Sequence, residues 1–347
     1  MDSTIALILA QDGITTGAVY ALLAVALVLV FAVSRVIFIP QGELVSYGAL
    51  TIAFLQAGKV PGTVWLLMGL GVAVFVLDLS RFRIERERRK LALSALINLA
   101  WPVCMCLLAS RIAWPTQPIP LQALLTLGIV APLAPMLYRL AFEPLADASV
   151  LVLLIVSVAV HLVMLGAGLV MFGAEGVRSL PFSEARFALG PLTLTGQGIA
   201  VVVASVLIMV ALAQYFSHTV SGKALRATAV NRLGARLVGI DVGQSGRLAF
   251  LLAGLIGAFS GILIGPVTTV YYESGFLIGL KGFVGAIIGG LVSYPIAAAG
   301  ALLVGLLEAY SSFWASAYKE VIVFTLIVPV LAWRSLTSHV LLDDEEH

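Results

Sequence analysis

A chain of 347 residues, 61% hydrophobic and 11% charged, with a mean hydropathy of +1.09, carries more apolar side chain than a water-soluble core of that size can hide; its solvent is lipid. A formal net charge of +2 offers little to steer nucleic acid, and in a membrane chain the placement of Lys and Arg matters more than their sum. Cys104 and Cys106 lie in an apolar stretch with no His or Cys pair to complete a tetrahedron, so no metal site is expected.

In chain order, the N-terminal MDSTIALILA has an acid where a cleavable signal carries positive charge, and its apolar run continues past an h-region; it reads as a retained first span. About 20 apolar residues cross about 30 Å of hydrocarbon. Windows of that kind lie near 8–33, 42–57, 62–79, 92–112, 121–140, 149–172, 197–216, 248–267, 296–311 and 320–334. The segment GLKGFVGAIIGG at 279–290 is shorter and reaches only about 18 Å as a helix. It reads either as a half-span beside a transport pathway or as a helix cut by its own glycines. The expected fold is all-α: a single polytopic transmembrane bundle over 1–347, with about 10–11 membrane segments, one of them the half-span.

Arg81, Arg83, Arg86, Arg88, Arg89 and Lys90 form one basic cluster, and Lys223, Arg226, Arg232, Arg236 and Arg247 a second. Both are expected in the cytoplasm, which puts the N-terminus in the periplasm and the tail with Arg334 and LLDDEEH in the cytoplasm. The balanced 173–196 loop and the uncharged WPTQPIP connection then face outward. Gly254, Gly257, Gly261 and Gly265 line one side of a helix, first of all a packing signal. Gly282, Gly285, Gly289, Gly300 and Gly305 continue the theme.

The stretch at 217–247 is too long and too patterned for an ordinary turn. Ala224, Ala227, Leu233, Leu237 and Ile240 suit a short helix, a turn and a second helix, with small and apolar residues on one face and arginines on the other. Such a surface helix is what coupling to a soluble motor needs, and a solvated basic loop is the plainer reading.

Here the sequence resembles the permease subunits of branched-chain amino acid ATP-binding cassette importers, particularly the subunit usually first of the two permeases. The family's G-x-A-x-R-A, spacer, A-x-x-x-G-I pattern is met by Gly222, Ala224, Arg226, Ala227, Ala235, Gly239 and Ile240. Ala229 and Gly234 match a degenerate E-A-A-x-x-x-G coupling motif. A G-L-K-A-F block corresponds to Gly279, Leu280, Lys281, Phe283, Ala286, Gly289, Gly290 and Ser293, followed by Gly305, Leu306 and Glu308. Tyr318, Lys319 and Glu320 echo E-Y-K-D, Phe142 to Leu145 echo Y-R-P-L-R, and Phe38 to Glu43 echo N-F-A-H-G-E without its Asn and His. Residues 62–118 have no counterpart in these blocks and read as an inserted helical hairpin with basic RFRIERERRK at its tip.

The resemblance implies an importer permease for a small amino acid or related carboxylate or amide. Its implied setting is the bacterial inner membrane, with a second homologous permease, two cytoplasmic ATPases and a periplasmic binding protein as partners. No G-x-x-x-x-G-K-[ST] loop occurs, so no cofactor is expected in this chain, and ATP with Mg belongs to the partner ATPases. No catalytic constellation appears either, and the chain is not expected to be an enzyme. Ionisable residues inside spans are costly, which makes Lys281 and Glu308, then Gln41 and Glu43, candidates for the translocation pathway. Lys281 and Glu308 could instead neutralise each other, Glu43 fits a cytoplasmic boundary equally well, and His161 reads as a core histidine. The rivals are an ion-coupled secondary transporter, which should show matched broken helices in both halves, and a membrane-embedded enzyme, which should cluster His, Asp or Arg at one membrane face.

Overall fold

The computed structural model describes residues 3–85, 88–189 and 192–337, and leaves out the side chains of residues 3, 81–88, 90, 189, 192 and 333–337. Most of the first basic cluster and the charged tail from Arg334 onward therefore lie outside the described side chains. The fold is helical, with one two-stranded sheet.

The chain begins with α1 (Ser3–Ser34), α2 (Gln41–Gln56) and α3 (Thr63–Glu85). Helix α4 (Arg88–Ala95) runs through a π turn, Leu96–Ala100, into α5 (Trp101–Arg111). The turn precedes Pro102, which cannot bond to the Asn98 carbonyl one turn back. Next come α6 (Ile119–Val130) and α7 (Leu133–Leu137), one span broken at Ala131–Pro132, and then α8 (Val150–Phe172). Strands β1 (Arg186–Leu189) and β2 (Leu192–Thr195) pair antiparallel and lead into α9 (Gly196–His218). The remaining helices are α10 (Val220–Val230), α11 (Arg232–Leu237), α12 (Val242–Ile264), α13 (Ser274–Ile288), α14 (Tyr294–Trp314), α15 (Lys319–Thr325) and α16 (Ile327–Thr337).

Among the described residues, eight helices are long and apolar enough to cross a membrane. The other three expected segments are shorter. Helix α2 has 16 residues and α13 has 15, about 24 and 22 Å at helical rise. The last segment splits at Leu326, one turn before Pro329, whose ring excludes the Thr325 carbonyl from a regular bond. The half-span expected at 279–290 begins earlier, so Lys281 is the central residue of α13 and not its head.

Helix α1 is apolar all round and buried from Ala18 through Val30, as a central helix must be. It packs on α9, α12, α13 and α14. A Cβ at Gly305 of α14 would strike the backbone of Gly13 and Gly17, so these glycines set the α1–α14 approach. On α12, Gly261 meets the backbone of α2 at Val45 and Ala49, while Gly254 meets Ala131 and Ala134. The glycine seams are helix contacts. Helices α3, α5, α8 and α9 lie at the periphery and turn Trp65, Leu107, Ile155, Val163, Val170 and Leu207 outward, as lipid requires. Helices α3 to α5 form a hairpin that packs on α6 and α7.

Candidate functional site

Between α1 and α2 the chain abandons helical structure. Arg35 sits at φ 61 and ends α1, and Val36 and Phe38 are buried although Ile37 to Pro40 is not helical. This break lies deep in the bundle. The Ile39 N–H donates to Ser157 Oγ of α8 at 2.9 Å, and Gln41 Nε2 donates to the carbonyl of Ala253, the central residue of α12, at 3.0 Å. Glu43, 0% exposed, places Oε1 2.7 Å from Nδ1 of His161, the central residue of α8. With the carboxylate ionised, that nitrogen carries the proton and donates. Glu43 thus stands at mid-depth in the bundle, not at a boundary, because the break carries the start of α2 inward. Irregular backbone at such depth is tolerated only against protein or a polar cavity.

Among the described residues, Gln41 Oε1, Glu43 Oε2 and Ser46 Oγ have no hydrogen-bond partner here. Helix α13 crosses α2 at this point with backbone against backbone, since a Cβ at Gly42 would strike Gly275 and a Cβ at Gly275 would strike Gly42 and Ser46. The Phe276 ring lies 4.7 Å from the His161 ring.

A second polar centre, with Lys281 and Tyr20 buried and Glu308 and Glu320 partly exposed, joins four helices. Lys281 Nζ of α13 lies 2.5 Å from Glu308 Oε1 of α14 and 3.1 Å from Glu320 Oε1 of α15, while Tyr20 of α1 donates to Glu308 Oε2 at 2.7 Å. Lys281 therefore has two carboxylate partners within the chain. Glu320 and Tyr20 escaped the sequence reading as partners, although Glu320 belongs to the Tyr318–Glu320 block; Tyr20 gives no signal in an apolar run.

At one end of the bundle, α10 and α11 connect α9 to α12. Three N-caps set their boundaries: Thr219 accepts from the Gly222 N–H, Asn231 from Gly234 and Asp241 from Gln244. Gly239 closes α11 at φ 85, a backbone region open to glycine. Gly222, Leu225, Thr228 and Ala235 face the bundle, and Ala224, Ala229, Gly234 and Ile240 are partly covered. The outward face mixes the apolar Val220, Val230, Leu233 and Leu237 with Arg226, Ala227 and Arg236. Apolar and basic residues share this face, where the sequence periodicity had separated them, because the Asn231 cap breaks the helix and resets its phase. Val230 is 87% and Leu237 80% exposed.

This end is tied to the bundle by charge. Arg232 donates to the Ala146 carbonyl at 3.2 Å, Arg236 lies 3.6 Å from Asp147, and Arg247 grips Glu143 through Nε and Nη2, at 3.0 and 2.5 Å. Arg139 pairs with Asp78 of the hairpin, whose other oxygen accepts from Ser94; Asn98 donates to Ser94 at 3.0 Å. Asp78 is a lone acid in an apolar span, and that signal was available in the sequence. At the opposite end of α9 and α12, Val177 bridges to Val270 beside the β1–β2 hairpin. Among the described residues, no group of three or more His, Cys, Asp or Glu is gathered as metal ligands would be. An open apolar recess of about 400 Å³ between α6, α9 and α12, lined by Leu127, Ile208, Leu212, Leu252, Ile256 and Phe259, suits a lipid chain or another subunit better than a polar solute.

Comparison with known proteins decides the family. The permease component of branched-chain amino acid transport systems matches residues 90–331, most of the chain. The chain belongs to that family. This permease is 24% identical over 330 residues to the high-affinity branched-chain amino acid transport permease LivH of Escherichia coli K12, covering 92% of this chain and 91% of LivH. It is 28% identical over 203 residues to BraD of Pseudomonas aeruginosa, covering 56% of this chain and 66% of BraD. A probable LivH permease of Methanocaldococcus jannaschii is 29% identical over 210 residues, covering 57% of this chain and 65% of that one. No solved structure matches. Family membership makes the chain a multi-pass membrane transport subunit, not an enzyme, working in a complex with other subunits.

Proposed function

We propose that this permease is the membrane-spanning subunit of an ATP-driven importer for a small amino acid, branched-chain amino acids foremost. The observation that carries the reading is the outward face of α10 and α11: exposed Val220, Val230, Leu233 and Leu237 set among arginines, on a helix pair joined to the 143–149 segment by Arg232 and Arg236. An apolar stripe with a basic border is what the groove of a soluble partner takes up. Two cytoplasmic ATPases, which bind the ATP and Mg, dock here and bias the bundle between two packings. A second, similar permease completes the membrane unit, and a periplasmic binding protein delivers substrate to the end that bears the β1–β2 hairpin. The complex lies in the bacterial inner membrane with the α10–α11 end in the cytoplasm, as the arginines require. Gln41, Glu43, Lys281 and Glu308 line or steer the pathway, and residues 62–118 form a peripheral hairpin whose second half, from residue 90, lies within the family match.

The test is uptake and substrate-stimulated ATP hydrolysis in proteoliposomes that hold the permease with the ATPases, second permease and binding protein encoded beside it. Gly234→Trp sets a large side chain against the Asn231 cap at the edge of the docking face and is expected to abolish both activities. Normal uptake and hydrolysis in that variant contradict the assignment. The Glu43–His161 pair favours one other reading, an ion-coupled carrier, which predicts uptake from an ion gradient with the ATPases absent.

A further inference from the structure

We infer that Glu43 and Ser46 form the subsite that holds the ammonium group of the transported amino acid, with His161 as its positioning residue. The inference rests on the transport reading above and goes beyond it by naming the recognised group.

The first argument is depth. His161 and Ala253 are the central residues of α8 and α12, and Glu43 and Gln41 bond to them. A helix that begins mid-bundle, after a non-helical break, brings polar groups to the depth at which a solute must shed its water. The second argument is valence. Glu43 is 0% exposed, His161 engages Oε1, and Oε2 has no partner. Ser46, three residues on and so on the same helix face, is also 0% exposed and has no partner for Oγ. An unmatched buried carboxylate oxygen is expensive, and the group that matches it is a hydrogen-bond donor, not an acceptor. The third argument is charge. Among the described residues no lysine or arginine pairs with Glu43, and its one ionisable partner, His161, engages Oε1 and leaves Oε2 open. A cationic donor satisfies valence and charge together. A primary ammonium does so, whereas a substrate carboxylate here would add like charge to like.

Access is built into the same corner. At Gly42 and Gly275 the α2–α13 contact is backbone against backbone, with the short Ser46 side chain beside it, so little side chain has to move where the two helices part. His161 is packed against Phe276 and bonded to Glu43, which fixes the direction of the free oxygen.

The experiment measures equilibrium binding of radiolabelled leucine to the purified complex of both permeases and both ATPases. The competitors are 3-methylbutylamine, which is leucine without its carboxylate, and 4-methylpentanoate, which is leucine without its amine. The amine is expected to compete and the carboxylate to fail. Glu43→Gln and Ser46→Ala are each expected to weaken leucine binding roughly tenfold or more, the loss of a charge-assisted hydrogen bond. Ser46→Ala separates this from a structural role. Its hydroxyl has no partner among the described residues, so the variant should unfold at the same temperature or higher while binding leucine worse. Wild-type affinity in both variants, or competition by 4-methylpentanoate alone, overturns the inference and leaves the transport reading standing. If wild type binds no leucine, the transport reading itself falls and takes the inference with it.

Discussion

Two buried acids sit in this membrane body, and their surroundings differ. Asp78, 1% exposed, has an arginine on one oxygen and Ser94 on the other, so its charge is neutralised and its acceptors are occupied. Glu43, 0% exposed, has a histidine on one oxygen and nothing on the other. A fully paired acid in hydrocarbon does structural work, joining the α3–α5 hairpin to the segment that leads into Glu143 and Arg247. An acid left half paired is a cost to folding that a structural role does not explain. The first should be sensitive in stability and the second in transport.

The largest expected effect is Arg139→Ala. It strands Asp78 without a counter-charge and should destabilise the bundle by about 3–5 kcal/mol, seen as a lower thermal midpoint in detergent and poor recovery from membranes. An unchanged midpoint would make Asp78 a solvated acid and dissolve the contrast. Next in size is the loss at Gly305→Val. The new side chain meets Gly13 and Gly17 of α1 and should cost about 1–3 kcal/mol, with transport falling in step with folded protein. Glu43→Gln reverses the pattern. Its amide can keep the bond to His161, so the midpoint should stay within about 1 kcal/mol of wild type while uptake per folded molecule drops roughly tenfold or more.

Composition and long apolar windows were enough to read the all-α membrane fold, because lipid forces backbone hydrogen bonds into helices of a set length. The shorter segments were harder. The window at 279–290 was cut at Gly279, yet the helix starts at Ser274, since glycine within a packed helix is tolerated when a neighbour needs the space. Local pattern located α10 and α11 but not their outward face, because the Asn231 cap between them resets the helical phase. The pairing of Lys281 with Glu308 was within reach, both being charges in apolar segments. The partnership of Glu43 with His161 was not, because 118 positions separate them and only the depth of the α1–α2 break brings them together. Asp78 could have been flagged by the same rule that flagged Lys281.

The outward face of α10 and α11 gives the most direct measurement of how this permease is driven. Leu233 and Leu237 are exposed in the chain, so a Leu233→Asp, Leu237→Asp double variant should fold with a wild-type midpoint. When the permeases are purified with their neighbouring ATPases, that variant is expected to retain less than about a tenth of the ATPase bound to wild type, as the loss of two apolar anchors implies. Co-purification of the ATPases in full amount would contradict the account, since α10 and α11 would then not be where the motor sits.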